Sequence, residues 1–231
     1  MQTMAAAWAE QPVKAAGVRI GAQALAGELT LPPRPIGIVV SADAHDGPGL
    51  ASRQTGLVST MAHNGLGTLL FSPLTPVELQ GRQRVLDMPL LSSRIAQVLA
   101  WLADRPELGA LPVGLLGANQ GACVALHAAA CVPQRVFALV THGGRPDLAG
   151  ARLREVQAPT LLIMGNDDTG VLELGRHAAR ELPGTRQIEV MAGGRQLSDA
   201  AATLASRWFM QHLPPIPCAP VAAPALNPGV L

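Results

Sequence analysis

Tyrosine is absent from this 231-residue chain, and phenylalanine and tryptophan contribute three residues each. So few rings argue against an aromatic ligand cage or a base-stacking platform. Charge of either sign is scarce as well. Asp, Glu, Lys and Arg make up 14% of the residues, the formal net charge is +1, and basic runs are missing. That balance gives no electrostatic case for nucleic acid or for a membrane surface. Three cysteines, Cys123, Cys131 and Cys218, stand at unrelated spacings, which fits neither a disulfide framework nor a zinc pattern. Reduced thiols and a cytoplasmic location are the expectation. No apolar run reaches membrane-spanning length. Met1 to Ala7 lacks a basic leading region and is followed by Glu10, so it does not read as an export signal. No pattern requires a metal or a cofactor.

What is present is a large apolar fraction, 48% of the chain, enough for the core of one α/β domain. Residues 1–16 read as a flexible lead-in. Val18 to Ala22 and Ala24 to Leu31 alternate weakly around Gly21 and predict an opening antiparallel hairpin. Short apolar runs at Ile36–Ser41, Thr68–Phe71, Leu111–Leu116, Val136–Thr141, Thr160–Met164 and Ile188–Met191 have the pattern of strands buried on both faces. Helices are expected between them: Gln54–Asn64 closed by Gly65, Pro89–Ala103, Ala122–Cys131, Val171–Leu182 and Ser198–Leu213. The clearest is Pro89–Ala103, where Leu91, Ile95, Val98, Leu99 and Leu102 fall at helical spacing. Strand–helix alternation of this kind implies right-handed crossovers and a mostly parallel central sheet with helices on both faces. The domain spans 17–213. Residues 214–231 hold six prolines and no charge, a composition that excludes a helix or a central strand; they lie along the domain or a neighbour, or remain disordered.

The stretch with chemical meaning is Leu115-Leu116-Gly117-Ala118-Asn119-Gln120-Gly121-Ala122-Cys123. An apolar strand enters a Gly-x-x-x-Gly turn and a small-residue helix leaves it, which is the layout of a nucleophile elbow, Gly-x-Ser-x-Gly. The central residue is Asn119. An amide is a poor nucleophile, although Asn accepts the left-handed backbone of such a turn better than most residues. Together with Gly27–Pro32, Thr68–Phe71, Asp87–Leu91, Gly143–Leu148 and Ala158–Ile163, the elbow resembles that of the small dienelactone-hydrolase-like α/β hydrolases over roughly residues 17–213.

The resemblance implies an α/β-hydrolase fold and a triad in the order Ser, Asp, His. Its positions fall here on Asn119, Asp168 and Gln196, a degenerate set with no intact catalytic group. The family's His-Gly pair after the third strand becomes Asp43-Ala44. A carboxylate turned inward there would repel a developing oxyanion by roughly 4 kcal/mol at about 4 Å and an effective dielectric near 20. The pocket and oxyanion loop implied by the resemblance comprise Asp43, Ala44, His45 and Gln120. His177 and His212 are no convincing substitutes for the missing base.

Blander and sharper readings stand side by side. Asn119, Gln196 and Asp168 could satisfy one another in an inert buried network, or the paired amides could grip a ligand carbonyl or carboxylate. Asp43, His45, Asp46 and Asp168 could gather on a metal, but a solvated polar loop is the favoured account and no metal is expected. His127 and His142 read as core or near-core histidines. Cys123 reads as a small apolar packer, with a displaced nucleophile as the sharper alternative. The resulting expectation is a catalytically inactive hydrolase fold kept for binding, scaffolding or assembly. Its partner would be a protein or a second copy reached through residues 214–231, with a possible small-molecule ligand in the vestigial pocket. The alternatives are ester or lactone hydrolysis, and an enzyme using the pocket without a serine nucleophile.

Overall fold

A computed structural model of the chain describes residues 13–42, 54–80, 87–192 and 198–215. Eight strands form one sheet: β1 (Lys14–Ile20), β2 (Leu25–Leu31), β3 (Gly37–Ala42), β4 (Leu66–Phe71), β5 (Val113–Ala118), β6 (Val136–His142), β7 (Thr160–Gly165) and β8 (Arg186–Met191), in the order β1-β2-β4-β3-β5-β6-β7-β8. The pairs β1–β2 and β2–β4 are antiparallel, and every later pair is parallel. The predicted hairpin is therefore present, but β1 begins at Lys14. The lead-in thus ends three residues earlier than its expected limit at 16.

Among the described residues six helices connect or flank the strands: α1 (Thr55–His63), α2 (Pro76–Gln80), α3 (Met88–Ala103), α4 (Gly121–Cys131), α5 (Thr169–Glu181) and α6 (Asp199–His212). A 3-10 segment, Pro146–Glu155, joins β6 to β7. Helices α3 and α6 start where the sequence offers a cap. Asp87 accepts from the Leu90 N–H at 3.0 Å ahead of Pro89, and Ser198 accepts from the Ala201 N–H at 3.2 Å; such caps satisfy donors that have no intrahelical partner.

Two cores result, one per face of the sheet. On one face the apolar stripe of α3 (Leu91, Ile95, Val98, Leu99, Leu102) and the small-residue helix α4 pack with Leu29, Val40, Leu115 and Leu139. On the other, Leu57 and Met61 of α1 and Trp208 and Phe209 of α6 cover Val39, Leu116, Val140 and Ile163. Strand residues alternate between these faces, and because both are covered the strands read as continuous apolar runs. Phe209 sits so close to β5 that a Cβ on Gly114 would stand 2.6 Å from its ring. Among the described residues, no helix is long and apolar enough to cross a membrane.

The connection β3–α1–β4 runs toward β1, whereas β4–α3–β5 steps back over β3 and starts the run toward β8. The strand order thus reverses between β3 and β5. In open α/β sheets that reversal opens a crevice beyond the carboxyl ends of the strands, and β5 delivers its C-terminal end, the Gly117–Gly121 turn, to that place.

Candidate functional site

The turn has the geometry of a nucleophile elbow. Asn119 adopts a positive φ of 51°, one of two non-glycine residues among those described to do so. Its backbone N–H donates to the carbonyl of His142 at 2.9 Å, and its own carbonyl accepts from the Ala122 N–H at 3.2 Å. Glycine is needed on both sides of it. A Cβ on Gly117 would stand 2.3 Å from the carbonyl oxygen of Gly121, and one on Gly144, whose φ is +70°, would stand 1.9 Å from the carbonyl oxygen of Asn119. The strand, the helix and the loop after β6 therefore close on the backbone of a single residue. Its side chain is exposed, as is that of Gln120 at the start of α4.

Asp168 follows β7, two strands away from β5, which places the two chain positions about 10 Å apart across the sheet. Its carboxylate accepts from the Val171 N–H at 3.0 Å and caps α5. Asp168 is exposed as well. The expected inert network was to be buried, with Asn119 and Asp168 as two of its members. Both lie at the surface instead, because the turn lifts Asn119 above the sheet and the helix start holds Asp168 at its rim. Asp43, Ala44, His45 and Gln196 lie outside the described residues, as does Asp46.

Between the two positions stands His142, the last residue of β6, in register with Ala118 on one side and Ile163 on the other. It is 3% exposed, and its Nδ1 has no hydrogen-bond partner among the described residues. Burial holds its pKa below the usual imidazole value, so the ring is a neutral group under the elbow. The near-core reading of this histidine holds.

Cys123 lies on the first turn of α4, 3% exposed, with Sγ donating to the Gln120 carbonyl at 3.2 Å and 3.9 Å from Sδ of Met88. Burial, ahead of every other influence, pushes its thiol above the ordinary value. A nucleophilic cysteine needs the opposite, so Cys123 is a packing residue and not a displaced nucleophile. The loop after Gly144 is stiffened by Arg145, whose Nε and Nη2 donate to the two carboxylate oxygens of Asp147 at 2.8 and 2.7 Å. That pairing, first through the hydrogen bonds, holds Asp147 below its ordinary pKa. Sequence reasoning did not single out this pair, although an Arg-x-Asp after two glycines was its visible trace.

A mostly parallel sheet reversing at β3/β5, with an elbow at the reversal, defines an α/β-hydrolase domain. The chain is similar to the crystallised dienelactone hydrolase of Anabaena variabilis at 34% identity, over 88% of this chain and 99% of that one, with a TM-score of 0.78. It belongs to the dienelactone hydrolase-like family of α/β hydrolases. A dienelactone hydrolase-like promiscuous phosphotriesterase from metagenomic libraries shares the fold at 21% identity and a TM-score of 0.65, over 87% and 96% of the two chains. No protein-family profile matches the chain. Two Mycobacterium tuberculosis proteins, from strains CDC 1551 and H37Rv, are each 42% identical over 213 residues, 89% of this chain. Both carry the provisional name of phosphoribosyl transferase. The chain spans about half the length of these curated relatives, 48%.

Proposed function

We propose that this chain is a pseudo-hydrolase, an α/β-hydrolase domain that binds rather than cleaves. The observation that carries the reading is an elbow kept in full backbone geometry, with Asn119 at φ 51° and Gly144 pressed against its carbonyl, that presents an amide where the chemistry needs a nucleophile. The two further replacements implied by the family pattern, Gln196 for the base and Asp43-Ala44 in the oxyanion loop, support it, because the three components act as a unit. Exposed amides at Asn119 and Gln120 offer donors and acceptors to a ligand carbonyl or carboxylate at the crevice.

The proposed role is that of a scaffold or assembly subunit, with residues 214–231 contributing to contact with a protein partner or a second copy. In the mycobacterial relatives a domain similar to this one shares a polypeptide with about as much chain again, and their provisional naming directs the search for a partner toward phosphoribosyl transferases. The second reading, hydrolysis of esters or lactones, is favoured by the 34% identity to a dienelactone hydrolase over nearly its whole length.

Turnover of p-nitrophenyl acetate and of a dienelactone separates the two. The pseudo-hydrolase reading expects the parent to match buffer. Neither Asn119→Ser nor Gln196→His alone revives it, since each still lacks the other half of the nucleophile–base pair. The double variant gains measurable activity. Parent turnover well above buffer, abolished by Asn119→Ala or Asp168→Ala, would establish hydrolysis by another apparatus.

A further inference from the structure

At the end of the sheet opposite the elbow, about 20 Å away along β5, a cavity of about 200 Å³ opens between the C-terminal part of α3, the segment entering β5 and the turn before β6. Leu102, Leu108 and Leu111 form its apolar floor. These leucines are 1%, 3% and 6% exposed and belong to the packed core on the α3 face of the sheet. The floor is therefore fixed by the fold, and the cavity is preformed.

The rim has a different character. Gln134 and Arg135 stand there, both at the surface, and Arg135 is the one charged residue of the lining. Its Nη2 donates to the Leu99 carbonyl near the end of α3 at 3.3 Å, which steadies the guanidinium at the mouth. Among the described residues no carboxylate pairs with it. A guanidinium keeps its charge throughout the physiological pH range, and its planar fork of N–H donors matches a carboxylate. Beside it, the Gln134 side chain offers an amide donor. A positive rim over a leucine floor complements a molecule with an anionic head and a short apolar body.

We propose that this cavity is a second ligand site, separate from the elbow, and that it takes an aliphatic monocarboxylate of about six carbons. Three observations select that class. The first is size: an apolar cavity of about 150 Å³ admits benzene, so about 200 Å³ admits a chain with about eight heavy atoms. The second is charge, since a single cation at the rim suits a monoanion better than a phosphate dianion. The third is the floor, where leucines without an aromatic ring in the lining offer aliphatic contact and no stacking. The site stands independently of whether the elbow binds or hydrolyses.

Sodium hexanoate titrated into the full-length protein, followed through the backbone amide shifts of Gly109 and Ala110 on the lining, tests the site. Saturable shifts are expected at both amides. Affinity should rise from butanoate to hexanoate by up to about fourfold per methylene as each enters the leucine floor. Hexylammonium, of the same length and opposite charge, should bind about tenfold more weakly or worse, and Arg135→Gln should weaken hexanoate by a similar factor. Ala110→Phe, which fills the mouth from an exposed position, should abolish binding. Both substitutions are at the surface, and the same spectra verify that each variant is folded. Hexanoate that leaves the two amides unmoved, binds no better than hexylammonium, or binds either variant as tightly as the parent would overturn the proposal. Binding lost in Asn119→Ala but kept in Arg135→Gln would place the ligand in the elbow crevice and overturn it as well.

Discussion

Gly144 gives the sharpest test of whether the elbow is as tightly closed as its geometry states. Replacing it with alanine incurs two separable costs. The first is conformational: an L-residue at φ +70° pays about 1–2 kcal/mol for left-handed backbone. The second is steric. The new methyl would sit 1.9 Å from the Asn119 carbonyl oxygen, a backbone atom locked by the Ala122 N–H at 3.2 Å, so relief requires the loop after β6 to lift. Overpacking of that kind costs about 1–3 kcal/mol, for a total of about 2–5 kcal/mol when added to the left-handed backbone cost. Gly21 supplies the control. Its φ is +67°, but the atoms nearest a Cβ there are the Gln97 and Gln23 side-chain oxygens at 3.3 and 3.7 Å, which can swing away. Gly21→Ala should therefore cost only the conformational part, about 1–2 kcal/mol. Urea unfolding followed by tryptophan fluorescence measures both, and Gly144→Ala should exceed Gly21→Ala by at least about 1 kcal/mol. Equal losses would mean that the loop does not bear on the elbow, and the argument that the turn is kept intact would fail.

Other outcomes follow from features already described. Because burial lowers the folded-state pKa of His142, the unfolded chain binds its proton at the higher pH. Its stability contribution is complete above about pH 6.5 and is lost as pH falls from there through the lowered native value. His142→Leu should flatten the acid limb of urea midpoints, and an unchanged limb would refute the assignment. Asp168→Ala should cost about 1 kcal/mol through the lost cap, with Asp168→Asn recovering most of it; equal losses in both variants would argue against capping. Arg94 is 5% exposed, with Nη2 3.2 Å from Glu78 Oε1 while Nε and Nη1 lack partners among the described residues. Glu78→Ala should cost about 3–5 kcal/mol, whereas the double change to apolar residues costs less, a comparison read from denaturation midpoints. Deleting residues 222–231 should leave the fold's circular dichroism unchanged while lowering oligomeric state in light scattering or removing a co-purifying protein. Unchanged mass and composition would count against assembly through that segment.

The strands and the elbow were legible because their signals are local. An apolar run of six residues or a Gly-x-x-x-Gly turn means much the same wherever it occurs, and Asn119 at the turn's centre announced its own left-handed backbone. The elements that escaped lack a local period: α2 has only five residues, and Pro146–Glu155 is 3-10 rather than α-helical. Lys14 to Ala16 gave no strand signal because two of the three are alanine, and the pairing partners that make them a strand, Leu31 to Leu29, lie further along the chain. Exposure at the site was illegible for a related reason. Whether Asn119 and Asp168 face solvent depends on loops that meet only in three dimensions, and residue types alone suggested burial for two side chains that are exposed. The cavity behind the sheet was invisible to sequence, since its lining comes from residues as far apart as Leu99 and Pro215.

The cap made by Asp168 has a bearing on how degenerate enzymes are recognised. A carboxylate that would orient a histidine also terminates α5, and the two duties respond to different pressures. Loss of chemistry removes the first constraint without touching the second, because an uncapped helix start costs about 1 kcal/mol whether or not any substrate is turned over. Among the three positions that the family pattern implies for a triad, the acidic one is the member whose presence by itself carries no information about activity. The elbow residue has no such second employment, since α4 starts without a side-chain cap, and a survey of similar domains for lost function should weigh that position ahead of the aspartate.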